Sequence, residues 1–151
     1  MFDVAHELKQ KLNYERRQAR LASIEQDFAH EIVLVDPARS FVREGQLLKF
    51  ANSSAAKKVT LYTFMLFNDL ILYASEGINS KWKCHRVIHL SLCRIEDLRG
   101  LAYENMHAFR IVSPQKSITV SAPTKEKKQA WLQAIVHHLE LVMVRLHCFC
   151  A

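Results

Sequence analysis

Residues 63–74 read TFMLFNDLILYA, an almost wholly apolar stretch with Asn68 and Asp69 side by side at its centre. Asn and Asp favour tight turns, because they tolerate positive φ and bond to nearby backbone. The pair therefore divides the stretch into two arms of one hairpin, 59–67 and 70–74. Both arms are apolar at successive positions instead of alternate ones, as in strands covered on both faces. The hairpin should sit at the centre of a small barrel, with another element lying on its outside.

Working outward, strand-like segments recur at 42–50 (VREGQLLKF), 81–91 (KWKCHRVIHLS), 92–98, 108–113 (AFRIVS) and 117–121 (SITVS). Residues 51–58 (ANSSAAKK) and 75–80 read as loops, and Pro114-Gln115-Lys116 as a hairpin connection. Six or seven short strands in succession imply an antiparallel meander, sandwich or barrel. The chain then closes with a helix. Thr124 suits its N-cap and Glu126 the positive end of its dipole. Ala130, Trp131, Ala134, Ile135, His138, Leu139 and Val142 form its apolar face. Its last turns are apolar on a second side, Leu141, Val144 and Cys148, which needs cover. At the other end, residues 3–30 are helical. Val4, Leu8, Leu12, Ala19, Ala22 and Phe28 mark one narrow side, which also needs a partner surface. Asp36-Pro37 ends that segment.

Composition narrows the function classes. With 151 residues and few Gly or Pro, the chain suits one domain plus an appended element. No apolar run reaches the roughly 18 residues of a spanning helix, and 1–18 lack the apolar core of a secretory signal. The four cysteines show no Cys-x-x-Cys pair, so neither a metal site nor a cofactor is expected. Cys148-Phe149-Cys150-Ala151 has the outline of a prenylation box, but Cys150 fits its aliphatic position poorly. The net charge of +6 permits an anionic partner. Tyr62, Phe64, Phe67 and Tyr73 fall in strands expected to be buried, which argues against a nucleic-acid stacking platform. No glycine-rich phosphate loop and no nucleophile–base arrangement is present, so no catalytic residue is expected.

Three segments together resemble a pleckstrin homology (PH) domain. REGQLLKF (43–50) is similar to its first strand, TFMLFNDLILYA to its second and third, and TKEKKQAWLQAI (124–135), with Trp131, to its closing helix. The second segment resembles the PH domains of Dbl-type Rho guanine-nucleotide exchange factors, most of all the faciogenital-dysplasia type. In those factors a long helix of the catalytic Dbl-homology (DH) domain runs into the PH domain, and NYERRQARLASIEQDF (13–28) followed by REGQL looks like that junction. The resemblance implies a seven-stranded bent antiparallel barrel capped by a C-terminal helix. Residues 1–35 would be the end of a DH domain and linker, 36–145 the PH domain and 146–151 a tail. It implies a non-enzymatic, cytoplasmic module of cytoskeletal signalling that associates peripherally with membranes and modulates the adjoining DH domain. A Rho-family GTPase would be engaged through the DH domain that is absent from this sequence. The alternative is a protein-interaction module, acting through a barrel edge or the apolar closing helix.

Many phosphoinositide-binding PH domains carry a Lys near the end of the first strand and Lys/Arg-x-Arg in the second. By that resemblance Lys49 is well placed, Lys57 and Lys58 follow at the loop's end, and Tyr62 or Thr60 can donate a hydrogen bond. Lys81, Lys83, His85 and Arg86 form a second basic wall. The distal strand Arg is missing, since Val59-Thr60-Leu61-Tyr62 occupies its region. The implied ligand is a phosphoinositide or anionic membrane, bound weakly.

Overall fold

The computed structural model describes residues 3–51 and 58–149, apart from the side chain of Phe149. Lys57, a candidate ligand residue, and Cys150 and Ala151 of the tail lie outside the described residues. A helix α1 (Val4–Asp27) precedes seven strands: β1 (Phe41–Phe50), β2 (Val59–Phe67), β3 (Leu70–Glu76), β4 (Trp82–His89), β5 (Arg94–Asp97), β6 (His107–Val112) and β7 (Ser117–Ala122). Helix α2 (Lys125–Phe149) follows, with the Thr124 hydroxyl accepting a hydrogen bond from the Lys127 amide as its N-cap. The strands form one antiparallel sheet in the order β4-β3-β2-β1-β7-β6-β5.

The sheet curls until its inner face encloses a single core of Leu47, Phe64, Leu66, Tyr73, Ile88, Phe109, Ile118 and Val120. Helix α2 packs on β5, β6, β7 and the turn at Leu90–Leu92, and inserts Trp131 and Ile135 into that core. Gly45 makes this possible: a Cβ there would stand 3.3 Å from the Trp131 ring. The expected bent, helix-capped barrel is therefore present.

The apolar outer face of the central hairpin is covered, as its pattern requires. Met65, Phe67, Leu70, Leu72 and Ala74 form a second core with Leu21, Ile24, Phe28 and Leu34. Only the last turns of α1 reach the sheet, so the helix buries Leu21 and Ile24, with Phe28 at its C-cap. Of the expected side only Phe28 is buried: Val4, Leu8 and Leu12 stay exposed, as do Ala19 and Ala22. Leu21, Ile24 and Phe28, spaced three and four residues apart, share the one face of these turns that meets the sheet.

Asn68 and Asp69 do close the hairpin, but for another reason than positive φ, which neither adopts. They clasp the linker that follows α1. The Asp69 carboxylate accepts from Arg39 Nε and Nη2, each at 2.9 Å, while Arg39 Nη1 donates to the Leu34 carbonyl at 3.0 Å. The Asn68 amide accepts from the Ser40 N–H at 2.9 Å and donates to the Ala38 carbonyl at 2.8 Å. Gln18 donates to the Asp36 carbonyl, and Glu25 accepts from the Leu34 and Val35 amides. Barrel and helix are thereby joined through polar bonds as well as the second core. Asp69→Ala should cost about 2 kcal/mol, because it strands the largely buried Arg39 guanidinium. Hydrogen exchange at residues 24–40 should accelerate well before exchange in the barrel strands. Uniform acceleration in both regions would show that no separate clasp exists.

Candidate binding site at the barrel mouth

Strand β1 ends, β2 begins, and the β3–β4 and β6–β7 connections turn at one end of the barrel. Inward-facing residues there cannot all be apolar, because the core thins toward water. The rings of Tyr62, Tyr73 and His85 fill this end. Tyr62 lies 5.1 Å from Tyr73 and 4.9 Å from His85, and the His85 ring runs nearly parallel to Tyr73 at 6.2 Å. A register shift in the β3–β4 ladder, where Tyr73 pairs with Arg86 and Ala74 with Cys84, leaves His85 as the extra residue of the bulge. His85 Nε2 then meets Ser75 Oγ at 2.6 Å.

Lys49 and Arg86 stand at this aromatic floor, and the charge of Lys116 on the β6–β7 turn reaches Lys49. The Lys49 ammonium lies 5.7 Å from the Tyr73 ring centroid. Burial, then the charges of Lys116 and Arg86, push its pKa below the ordinary lysine value. Arg86 stands opposite Tyr73 in the ladder, with its guanidinium 3.5 Å from the Gln115 amide oxygen. Among the described residues none of the three has a carboxylate partner. Like charges held together without counter-charge repel, so an anion placed among them gains from all three. Beside Arg86, a cavity of about 200 Å³ opens between β4 and the Ser113–Gln115 turn.

A larger concavity of about 450 Å³ lies away from this cluster, between the 98–107 segment and the first turns of α2. It offers less free charge. Its Arg99 and Lys128 both pair with Asp97 at 2.7 Å, and their hydrogen bonds, that of Lys128 foremost, hold the Asp97 carboxyl below its usual range.

Of the sequence candidates, Lys49, Tyr62 and Lys83 gather at the mouth; the charges of Lys83 and Lys49 both act on His85. Lys58 and Lys81 are exposed on the flanking turns. Lys116 was missed. Its one signal was its place in the β6–β7 hairpin connection; pairing of β7 with β1 brings that turn beside Lys49, and curling of the sheet brings it to Arg86 on β4. The positive charge absent from β2 is thus supplied from β4 and from this turn. Trp131 is 1 % exposed and belongs to the core.

The PH domain family profile matches residues 41–140. The chain is 29% identical over 138 residues to the mouse "FERM, ARHGEF and pleckstrin domain-containing protein 2", covering 87% of this chain and 12% of that protein. It is 29% identical over 121 residues to the human "FYVE, RhoGEF and PH domain-containing protein 6", covering 80% and 8%. The chain thus spans about a tenth of the length of these curated relatives. Its backbone is similar to the DH/PH fragment of PDZRHOGEF solved with human RhoA, with a TM-score of 0.63 and 18% identity over 87% of this chain and 41% of that one. At that identity the likeness concerns the fold alone. With the family profile matching well over half of its residues, the chain belongs to the PH domain family.

Proposed function

We propose that this chain is the non-catalytic PH module of a Rho-family exchange factor, which holds anionic membrane lipid, phosphoinositide included, at the barrel mouth. The observation that carries this reading is the trio Lys49, Arg86 and Lys116 at one rim of the barrel, without carboxylate partners among the described residues. Binding is modest and weakly selective, because β2 contributes Tyr62 where a further arginine would grip a second phosphate. In this reading residues 1–35 are the end of a DH domain and its linker, and a Rho GTPase is met through that domain. The Arg39–Asp69 clasp and the second core support modulation, since a rigid joint lets membrane contact at the barrel orient α1. Vesicle sedimentation at low salt tests the lipid reading, with neutral vesicles as control. Equal binding to anionic and neutral vesicles would sink it.

His85 makes the site pH-sensitive. Burial, then Lys83 and Lys49, lower its pKa below the ordinary 6.5, so it is mostly neutral at pH 7. A bound anion offsets the two lysines, so binding takes up a proton and tightens as pH falls. We expect several-fold tighter binding to phosphatidylglycerol vesicles at pH 6.0 than at 7.5, one added charge being worth about 1 kcal/mol. That lipid does not titrate in this window. The His85→Gln variant should show a flat profile, and a profile unchanged from wild type would remove His85 from the site.

A second reading rests on the far end of α2, where Leu141, Met143, Val144 and Leu146 are each more than 40 % exposed. Such a surface suits a protein partner.

A further inference from the structure

The outward row of β2 is apolar nearly throughout: Val59, Leu61, Met65 and Phe67, interrupted by Thr63. Met65 and Phe67 lie beneath α1 and its linker. Val59 and Leu61 do not, and remain 43 % and 52 % exposed. Leu48, 40 % exposed, stands directly opposite Leu61, and Phe50 opposite Val59. Leu48 and Leu61 also line a shallow groove of about 220 Å³ with Gln46, Ser121 and Pro123. Lys49 lies between Leu48 and Phe50 and turns the other way, over Tyr73 inside the mouth. One rim of the barrel therefore carries cations on its inner side and bare apolar side chains on its outer side.

We propose that the Leu48, Phe50, Val59 and Leu61 row enters the acyl boundary of an anionic bilayer while the mouth holds the headgroups. This rests on the lipid reading above and adds a penetrating surface to it. The dimensions agree. Two residues along a strand span about 7 Å, within the roughly 5–10 Å to which interfacial apolar faces sink. Charge complementarity favours a bilayer, since the apolar row adjoins three unpaired cations. A second copy or protein partner would need about 800 Å² on each side, far more than three half-exposed side chains and a half-buried Phe50 supply.

The test compares wild type, Leu48→Ser/Leu61→Ser and Lys49→Ala/Lys116→Ala, each checked for folding by circular dichroism. The probes are vesicles of phosphatidylcholine with 30 mol% phosphatidylserine (about the charge of an anionic leaflet), soluble inositol hexakisphosphate, and a lipid monolayer. The leucine variant should bind inositol hexakisphosphate within twofold of wild type. It should lose at least tenfold in vesicle affinity and most of the rise in monolayer pressure. The lysine variant should lose both ligands. Wild-type vesicle binding by the leucine variant would overturn the penetrating row while leaving the lipid reading standing. Failure of wild type on both anionic probes would remove the lipid reading and the row with it. If sedimentation velocity shows wild type to be a dimer that the leucine variant abolishes, the row is a contact between copies and the proposal falls.

Discussion

Trp131→Ala is expected to remove about 3–5 kcal/mol of stability, the range for truncating a fully buried aromatic. Against a total of about 5–15 kcal/mol, that change alone brings the barrel close to unfolding. The indole ties α2 to β1 and to the barrel core. It fills the core from α2, lies against Gly45 of β1, and carries the Arg43 guanidinium 5.1 Å from its ring centroid. Arg43 Nε is buried without a hydrogen-bond partner, so loss of the ring also removes the face against which that cation rests. Urea unfolding should show a large fall in midpoint at constant m-value. A loss below about 1 kcal/mol would mean that the helix docks without its indole.

Lys49→Ala/Arg86→Ala/Lys116→Ala should weaken binding to anionic vesicles on the order of a hundredfold, taking about 1 kcal/mol per cation near the surface. The same variant should be no less stable than wild type. Burial first, then the charges of Lys116 and Arg86, push the pKa of Lys49 down, so removing the three cations takes away both a desolvated charge and its repulsion. Loss of binding together with retained or raised melting temperature is the signature of a functional cluster, not of structural ion pairs. Lys58→Ala/Lys81→Ala, on the exposed turns, should lose less than tenfold. Equal losses from the two sets would mean diffuse surface attraction instead of a site at the mouth. The difference should shrink as salt rises toward a Debye length of about 8 Å.

The hairpin was legible because it rests on neighbours in the chain. Asn68-Asp69 between two apolar arms permits few local structures, and apolar residues on both strand faces demand an outer cover. The identity of that cover was not legible. Helical spacing on α1 singled out Val4, Leu8, Leu12, Ala19, Ala22 and Phe28 and passed over the buried Leu21 and Ile24, because nothing local tells which turns meet the sheet. Lys49, Tyr62 and Lys83 could be named as site residues from their strands. Lys116 could not, because its neighbours in space are 30 to 70 residues away in the chain.

What the amino-acid sequence determined by itself is therefore the order of strands, the turn at Asn68-Asp69, the capped closing helix with Trp131, and the lack of an arginine on β2. These follow from periodicity, backbone preference and composition, all short-range properties. Tertiary structure alone decided that α1 covers only half of the outer apolar row, that Asp69 holds Arg39, and that charge from β4 and the β6–β7 turn meets Lys49. Those are outcomes of sheet closure, which brings distant segments to one rim and leaves cations on its inside and bare leucines on its outside.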